Sequence, residues 1–306
     1  MLDWLRLVRL PNHATAVADT LAGYLIVSQA RSLDWPPAAC WLAIAATIAF
    51  YAAGMVLNDV YDLELDRSER PERPLPRGTI PARQAGAVGF GLLASGLALA
   101  CGVAGATRSP WPAAIGVMLA AAVWFYDRHA KRTPLGPAVM GGCRGLNWLL
   151  GMTAAGMPAS MVGSAVGLIP LGMTAYVAGI TLYARDEAGR SRRPMLVAGM
   201  LLMLAGFGIT AAAVVRSPAA TAAGPLSPAN WLLLWSLLGT SILLRAVQGV
   251  VDPSPGRVRS AVGNAIMSII TLDAVLVLAF CGERWAIVVL SLLGIFLFGR
   301  QIVPPT

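Results

Sequence analysis

Ten apolar runs, most of them long enough to cross a bilayer, constrain this 306-residue chain more than any other feature. They fall at roughly 12–30, 38–58, 82–106, 111–127, 137–157, 162–184, 194–215, 228–247, 260–281 and 285–300. A helix needs about 20 predominantly apolar residues to span hydrocarbon. Nine of the runs approach or reach that length, and the tenth, Trp285 to Phe298, is shorter. Charged residues make up only 12% of the chain, against about a quarter in a soluble domain. Backbone polar groups in lipid must satisfy one another, and helices do this within a single segment. The expected fold is therefore all-α: a polytopic membrane helical bundle of about nine transmembrane helices, ten if the last run crosses, forming one domain over residues 1–306.

The net charge of +8 would suit nucleic acid, but its distribution points to membrane topology. The N-terminus and the loops after the second, fourth, sixth and eighth runs carry 17 of the 23 basic residues. The opposite loops carry only Arg31, Arg108, Arg216 and Arg284. The rich face is expected to be cytoplasmic, and no nucleic-acid partner is expected. The first ten residues read as an amphipathic surface helix rather than a cleavable signal. Cys40, Cys101, Cys143 and Cys281 lie scattered in apolar runs without C-x-x-C spacing and are expected to be buried thiols. His13 and His129 are too few for an ordinary zinc site. Trp35, Trp111 and Trp231 sit near span ends, as interfacial anchors do. The Gly163/Gly167 spacing reads as helix packing rather than a phosphate loop.

The densest polar feature follows the second run: N-D-V-Y-D-L-E-L-D, from Asn58 to Asp66. Asn58, Asp62 and Asp66 are spaced i, i+4, i+8 and share one face if the helix continues, with Asp59 close to that face. Carboxylates so crowded at a membrane helix end repel one another and call for a cation. Hard oxygen ligands of this kind suit Mg²⁺ carrying a diphosphate. A solvated loop of mixed charge is the plainer alternative, because arginines follow closely and surface pairs contribute little. The prolines Pro71, Pro74, Pro76 and Pro81 stiffen the exit.

This segment resembles the first aspartate-rich motif, N-D-x-x-D-x-x-x-D, of the UbiA superfamily of intramembrane prenyltransferases. Arg73-Pro74-Leu75-Pro76-Arg77-Gly78 is similar to the family's R-P-(I/L)-P-x-G exit. The resemblance implies a helical bundle with a central cavity open to lipid, and a Mg²⁺-dependent transfer of a prenyl group from a polyprenyl diphosphate to a lipophilic acceptor. It implies Asp59, Asp62, Asp66 and Asp186 as metal ligands, with Asp62, Asp66 and Asp186 central to catalysis and Asn58 supporting. Tyr183-Ala184-Arg185-Asp186-Glu187-Ala188-Gly189-Arg190 resembles the second motif, in which another Asp follows four residues after the first; here that position holds Arg190. Glu187 is an alternative oxygen, although it points about 100° from Asp186 on a helix. Arg185 and Arg190 are then candidate diphosphate contacts. The loop from Tyr126 to Gly136 resembles the family's basic loop, with Lys131 and Arg132 as candidate contacts. His129 is read as an exposed loop residue.

Arg144 and Asn147 lie three apart inside the fifth run, where a full charge is costly and normally faces a cavity or a partner. Asp19, Asn264 and Asp273 are further intramembrane polar groups. Arg9-Leu10-Pro11-Asn12 resembles the family's R-x-P-x start of the first span, from which Asn12 can reach the cavity. The polar loops after the second and sixth runs, about 128 residues apart, suggest two similar four-helix halves, an arrangement that often places a ligand site between them. The run A-R-D-E-A-G-R with R-G-L-N resembles the EboC-like branch of bacterial secondary-metabolite clusters, which implies a bacterial inner or plasma membrane. A non-catalytic isoprenoid-binding or transport protein of the same fold, and an unrelated secondary transporter with carboxylate cation sites, remain open on the residues alone.

Overall fold

The computed structural model describes residues 2–30, 37–187, 189–217, 220 and 227–302. Arg31 and Trp35 lie outside the described residues. Twelve α-helices make up the fold among those residues: α1 (Leu2–Leu7), α2 (His13–Ala30), α3 (Ala38–Tyr61), α4 (Leu63–Glu69), α5 (Ala82–Thr107), α6 (Trp111–Phe125), α7 (Gly136–Ala154), α8 (Leu168–Tyr183), α9 (Arg193–Val215), α10 (Pro228–Val251), α11 (Pro255–Cys281) and α12 (Glu283–Ile302). Each of the ten apolar runs coincides with one of the longer helices. Six of them, α3, α5, α9, α10, α11 and α12, are long and apolar enough to cross a membrane. Side chains such as Leu232, Leu237, Leu244, Ile287 and Phe298 stay exposed along α10 and α12, as expected where lipid rather than protein covers a helix.

Prolines open five of the helices, α6, α7, α9, α10 and α11, at the first or second position. A missing N–H costs nothing there, and the fixed φ suits the first turn. Gly282 alone separates α11 from α12, at φ 84 and ψ −179. That backbone region is essentially closed to residues with a Cβ, so the sharp reversal depends on glycine.

The most extensively packed pairs are α3 with α5 and α8 with α9. They join the second apolar run to the third and the sixth to the seventh. Glycine lets α8 and α9 meet backbone to backbone. A Cβ on Gly172 would lie 2.9 Å from the Gly206 carbonyl oxygen, and one on Gly179 would lie 2.7 Å from that of Gly199. The paired numbers run in opposite directions, so the two helices are antiparallel. Gly163 and Gly167 do not form such a seam: they lie in the turns before α8, and a Cβ on Gly163 would meet nothing within 4 Å. The expectation of uniformly buried thiols is also corrected. Cys40 is buried but Cys101 is exposed, because it lies on the outer face of α5.

A second, smaller core sits at the motif end of the bundle. Leu7 from α1, Val56, Leu75, Ile80 and Ala85 pack together there, with Trp4 and Val8 against them. It folds the 71–81 segment back against α3, so Arg73, two residues past Pro71, is left only 3% exposed. The mixed-charge exit is thus a packed element and not a solvated loop.

Candidate active site

The α3 helix does not continue through the acidic motif. It ends at Tyr61, Asp62 caps it at φ −94 and ψ 1, and α4 begins at Leu63. The break divides the acids into two sets in place of the single face that the i, i+4, i+8 spacing predicts. In one set, Asp59 and Asp66 converge on Arg73, whose Nη1 lies 3.4 Å from Asp59 Oδ1 and 2.7 Å from Asp66 Oδ2. Arg9 Nη2 also donates to Asp59 Oδ1 at 3.0 Å. Arg9 reaches it from a left-handed backbone conformation, φ 49, which costs a non-glycine residue about 1 kcal/mol or more. In the other set, Asp62 accepts Lys131 Nζ at 2.8 Å and Arg132 Nη2 at 2.7 Å. Lys131 Nζ also donates to Asn58 Oδ1 at 3.1 Å.

Lys131 reaches that position through a local irregularity. Residues Tyr126–Ala130 form a π-helical turn after α6, closed by the Lys131 N–H donating to the Tyr126 carbonyl at 3.0 Å. The turn aims Asp127 inward as well, leaving it 3% exposed. Its Oδ2 is buried and has no hydrogen-bond partner. Burial pushes the Asp127 carboxyl up to about 8; Lys131 opposes the shift, while the charges of Asp62 and Asp59 add to it. Sequence reasoning passed over Asp127. The signal was an acid at the very end of an apolar run, four residues before Lys131. His129, by contrast, is exposed as expected.

Beneath these residues lies a cavity of about 410 Å³. Arg9, Asn12, Asn58, Tyr126, Asp127 and Glu187 line its polar end, and Phe50, Leu119, Val123, Val177, Val262 and Ile266 are among its apolar walls. Arg144 and Asn147 line it too, in a buried polar layer. Arg144 Nη1 lies 2.7 Å from Asp19 Oδ2, and Asn147 Nδ2 donates to the same oxygen at 3.2 Å. Trp148 Nε1 donates to Asp19 Oδ1 at 3.1 Å. Asn147 Oδ1 accepts Thr20 and Thr47 hydroxyls at 3.1 and 2.8 Å. Asp273, wholly buried in α11, lies beside Asp19 and within the field of Arg144.

The second motif is arranged differently from the first. Asp186 is held by Arg192 Nε at 3.0 Å and does not line the cavity, whereas Glu187 does. Burial raises the Glu187 carboxyl above its ordinary value, against the pull of Arg259 and Arg70. Arg185 Nη2 donates to the Arg132 carbonyl at 3.4 Å, and Arg190 is exposed. The structure thus brings Asn12, Asn58, Arg144 and Asn147 to the cavity wall, and joins Lys131 and Arg132 to Asp62 outside that wall, with Lys131 also bonded to Asn58. It places Asp59 and Asp66 in the Arg73 clamp, and Asp186, Arg185 and Arg190 farther out. Among the described residues, no three His, Cys, Asp or Glu side chains converge tightly enough to hold a metal by themselves.

A polar, acid-and-base mouth over an apolar chamber is the geometry that the motif resemblance leads one to expect, and the whole-chain comparison agrees. The profile of the UbiA prenyltransferase family matches residues 16–270. The chain belongs to the UbiA prenyltransferase family. It is similar to the digeranylgeranylglyceryl phosphate synthase of Methanoculleus marisnigri, at 29% identity over 86% of this chain and 92% of that one. The synthase of the same name from Metallosphaera sedula is 32% identical, over 44% of each chain. The structure of a UbiA homolog from Archaeoglobus fulgidus bound to DMAPP and Mg²⁺ superposes with a TM-score of 0.53 and 16% identity, over 94% of this chain and 99% of that one. At that identity the likeness establishes the fold.

Proposed function

We propose that this UbiA-family protein transfers a prenyl group from a prenyl diphosphate to a lipophilic acceptor, with Mg²⁺ as cofactor. The observation that carries this reading is the cavity itself. Its apolar walls suit an isoprenoid tail, and its polar end carries Asn58, which Lys131 links to Asp62 and Arg132. A diphosphate is a poor leaving group until its charge is neutralised, and fixed cations aimed at the developing charge do this best away from water.

The donor set fits Mg²⁺. It consists of carboxylate and amide oxygens and includes a buried carboxylate oxygen with no hydrogen-bond partner. Mg²⁺ usually takes one or two protein carboxylates and completes its shell with water and substrate phosphates. This accords with the lack of a self-sufficient three-acid cluster. Asn58 and Asp62 are best placed to hold it. Each acid would have to yield a cation contact to reach it: Asp62 one from Lys131 or Arg132, and Asp59, Asp66 and Asp186 those of their arginine partners. Bound there, the ion would neutralise the diphosphate and so ease its departure.

Lys131 and Arg132 hold Asp62 in place and stand beside the path of the leaving diphosphate. Arg144, fixed by Asp19, presents a cation to the middle of the chamber, where it can orient the polar end of an acceptor. The names of the archaeal relatives make a glycerol-phosphate lipid the first acceptor to try, with aromatic acids and quinone precursors next. The excess of basic residues in the loops on the motif side supports a cytoplasmic mouth on an integral membrane protein.

The test is diphosphate release by the purified protein, given a panel of prenyl diphosphates with and without Mg²⁺ and a membrane-lipid extract. Release that needs both Mg²⁺ and extract, and is abolished by Asp62→Asn, is the expected result. Saturable prenyl-diphosphate binding without release would favour a non-catalytic isoprenoid binder. The second motif gives that rival its specific support, because Asp186 is tied to Arg192 and Arg190 replaces an acid.

A further inference from the structure

We propose that Asp127, presented by the π-turn between α6 and α7, is a carboxylate ligand for the divalent cation that accompanies the diphosphate. The proposal rests on the Mg²⁺-dependent reading above and deepens it. Three observations carry it. Asp127 is nine-tenths buried or more, yet its Oδ2 has no hydrogen-bond partner. A buried acceptor left unpaired costs about 1–3 kcal/mol, more if charged, so it persists where something outside the chain satisfies it.

The side chain also lines the cavity, at the same polar end as Asn58 and Glu187. It lies four residues before Lys131, which itself touches both Asp62 and Asn58. Finally, the backbone irregularity that places it is a π-turn, a local distortion found frequently at functional sites. A cation at this corner would meet the Asn58 amide, the Asp62 carboxylate and Asp127, with diphosphate oxygens and water completing the shell. Such a site would supply a carboxylate that the second motif does not offer, with Arg190 in place of an acid and Asp186 turned toward Arg192.

The test reads metal binding and not turnover. Purified protein in detergent is titrated with Mn²⁺ in the presence of inorganic pyrophosphate, and binding is followed as the enhancement of water-proton relaxation. Asp127→Asn is near-isosteric and introduces no buried charge, so it should fold. Asp127→Ser, too short to reach, gives a second measure if the amide perturbs the turn. Both are expected to weaken Mn²⁺ binding by about tenfold or more, since even residues that only support metal ligands cost that much. Asp186→Asn is expected to leave it within a few-fold. Wild-type affinity in either properly folded Asp127 variant, alongside a loss in Asp62→Asn, would overturn the role of Asp127 and leave the proposed function standing. Failure of the wild-type protein to bind Mn²⁺ with pyrophosphate at all would overturn both.

Discussion

Arg9 and Asp59 are 50 residues apart in the chain, and their side chains meet at 3.0 Å. The contact ties the approach to α2 to the acidic end of α3, and it is made from a left-handed backbone at Arg9. Two substitutions separate the side chain from the backbone. Arg9→Ala loses the ion pair and keeps the strain. Arg9→Gly loses the ion pair but adopts φ 49 freely. Alanine normally outranks glycine in stability; here the order should reverse, with Arg9→Gly the more stable by about 1 kcal/mol. Unfolding in detergent micelles gives the comparison, and an Ala variant as stable as the Gly variant would refute the strain.

Arg73 is the shared partner of Asp59 and Asp66, and all three are almost wholly buried. Removing one member of a buried ionic group leaves the others uncompensated, at about 3–5 kcal/mol. Arg73→Leu should therefore unfold far more easily than wild type. Adding Asp66→Asn should restore part of the loss, because the Asp66 charge loses its Arg73 partner whereas Asp59 keeps Arg9. A double variant no more stable than Arg73→Leu alone would argue that Arg73 contributes by packing and not by charge.

The helices and the location of the site were legible in the sequence, because each rests on local chemistry. Apolar runs set most helix bounds to within a few residues, with α8 starting six residues later than its run and α11 five earlier, and of the Asn58–Asp66 motif Asn58 lines the cavity. What the sequence did not reveal depends on tertiary contacts. The break at Asp62 sends Asp66 to Arg73, seven residues on, and that pairing needs the small core of Leu7, Val56, Leu75 and Ile80 to fold the loop back. The division of labour in the second motif was hidden in the same way: Asp186 and Glu187 are adjacent, and only the fold decides which of them faces the cavity. Asp127 went unnoticed because a π-turn leaves no spacing pattern to read.

Lys131 and Arg132 both contact Asp62, but their exposure differs. The Lys131 side chain is 13% exposed and that of Arg132 is 63% exposed. A charge held away from water stabilises a developing anion far more than one at the surface. Lys131→Ala should lower kcat for diphosphate release by about 10²-fold or more. Arg132→Ala should change it by only a few-fold, as exposed pairs do. Equal losses in the two variants would mean that Arg132 turns inward once substrate is bound.

Arg144 and Asp19 form a full ion pair deep in the polar layer of the chamber, with Asp19 wholly buried and Asn147 and Trp148 donating to it. Arg144→Leu would strip the cation and leave the acid behind. The expected loss is about 3–5 kcal/mol, seen as a lower Tm in detergent. Asp19→Asn combined with Arg144→Leu should recover much of it, since neither charge then remains. If the single variant melts like wild type, the pair serves the acceptor and not the fold.

Asp127 supplies a pH signature that the cation-free protein should display. Its carboxyl, ordinarily near 3.8, is pushed up to about 8 by burial and by neighbouring acids. Between those values the folded chain retains a proton that the unfolded chain releases. Folding stability from this group is therefore present in full below about 4, declines as pH rises through the interval, and is gone above about 8. Asp127→Asn cannot titrate, so its Tm should fall less steeply across the same range. The measurement is a pair of melting series in EDTA-treated detergent samples. The two curves should lie closest at the acid end and separate with rising pH in favour of Asp127→Asn, because only wild type must then bury a charge. Parallel curves would mean that Asp127 ionises in the folded protein as freely as in the unfolded one, with water or Lys131 compensating its charge.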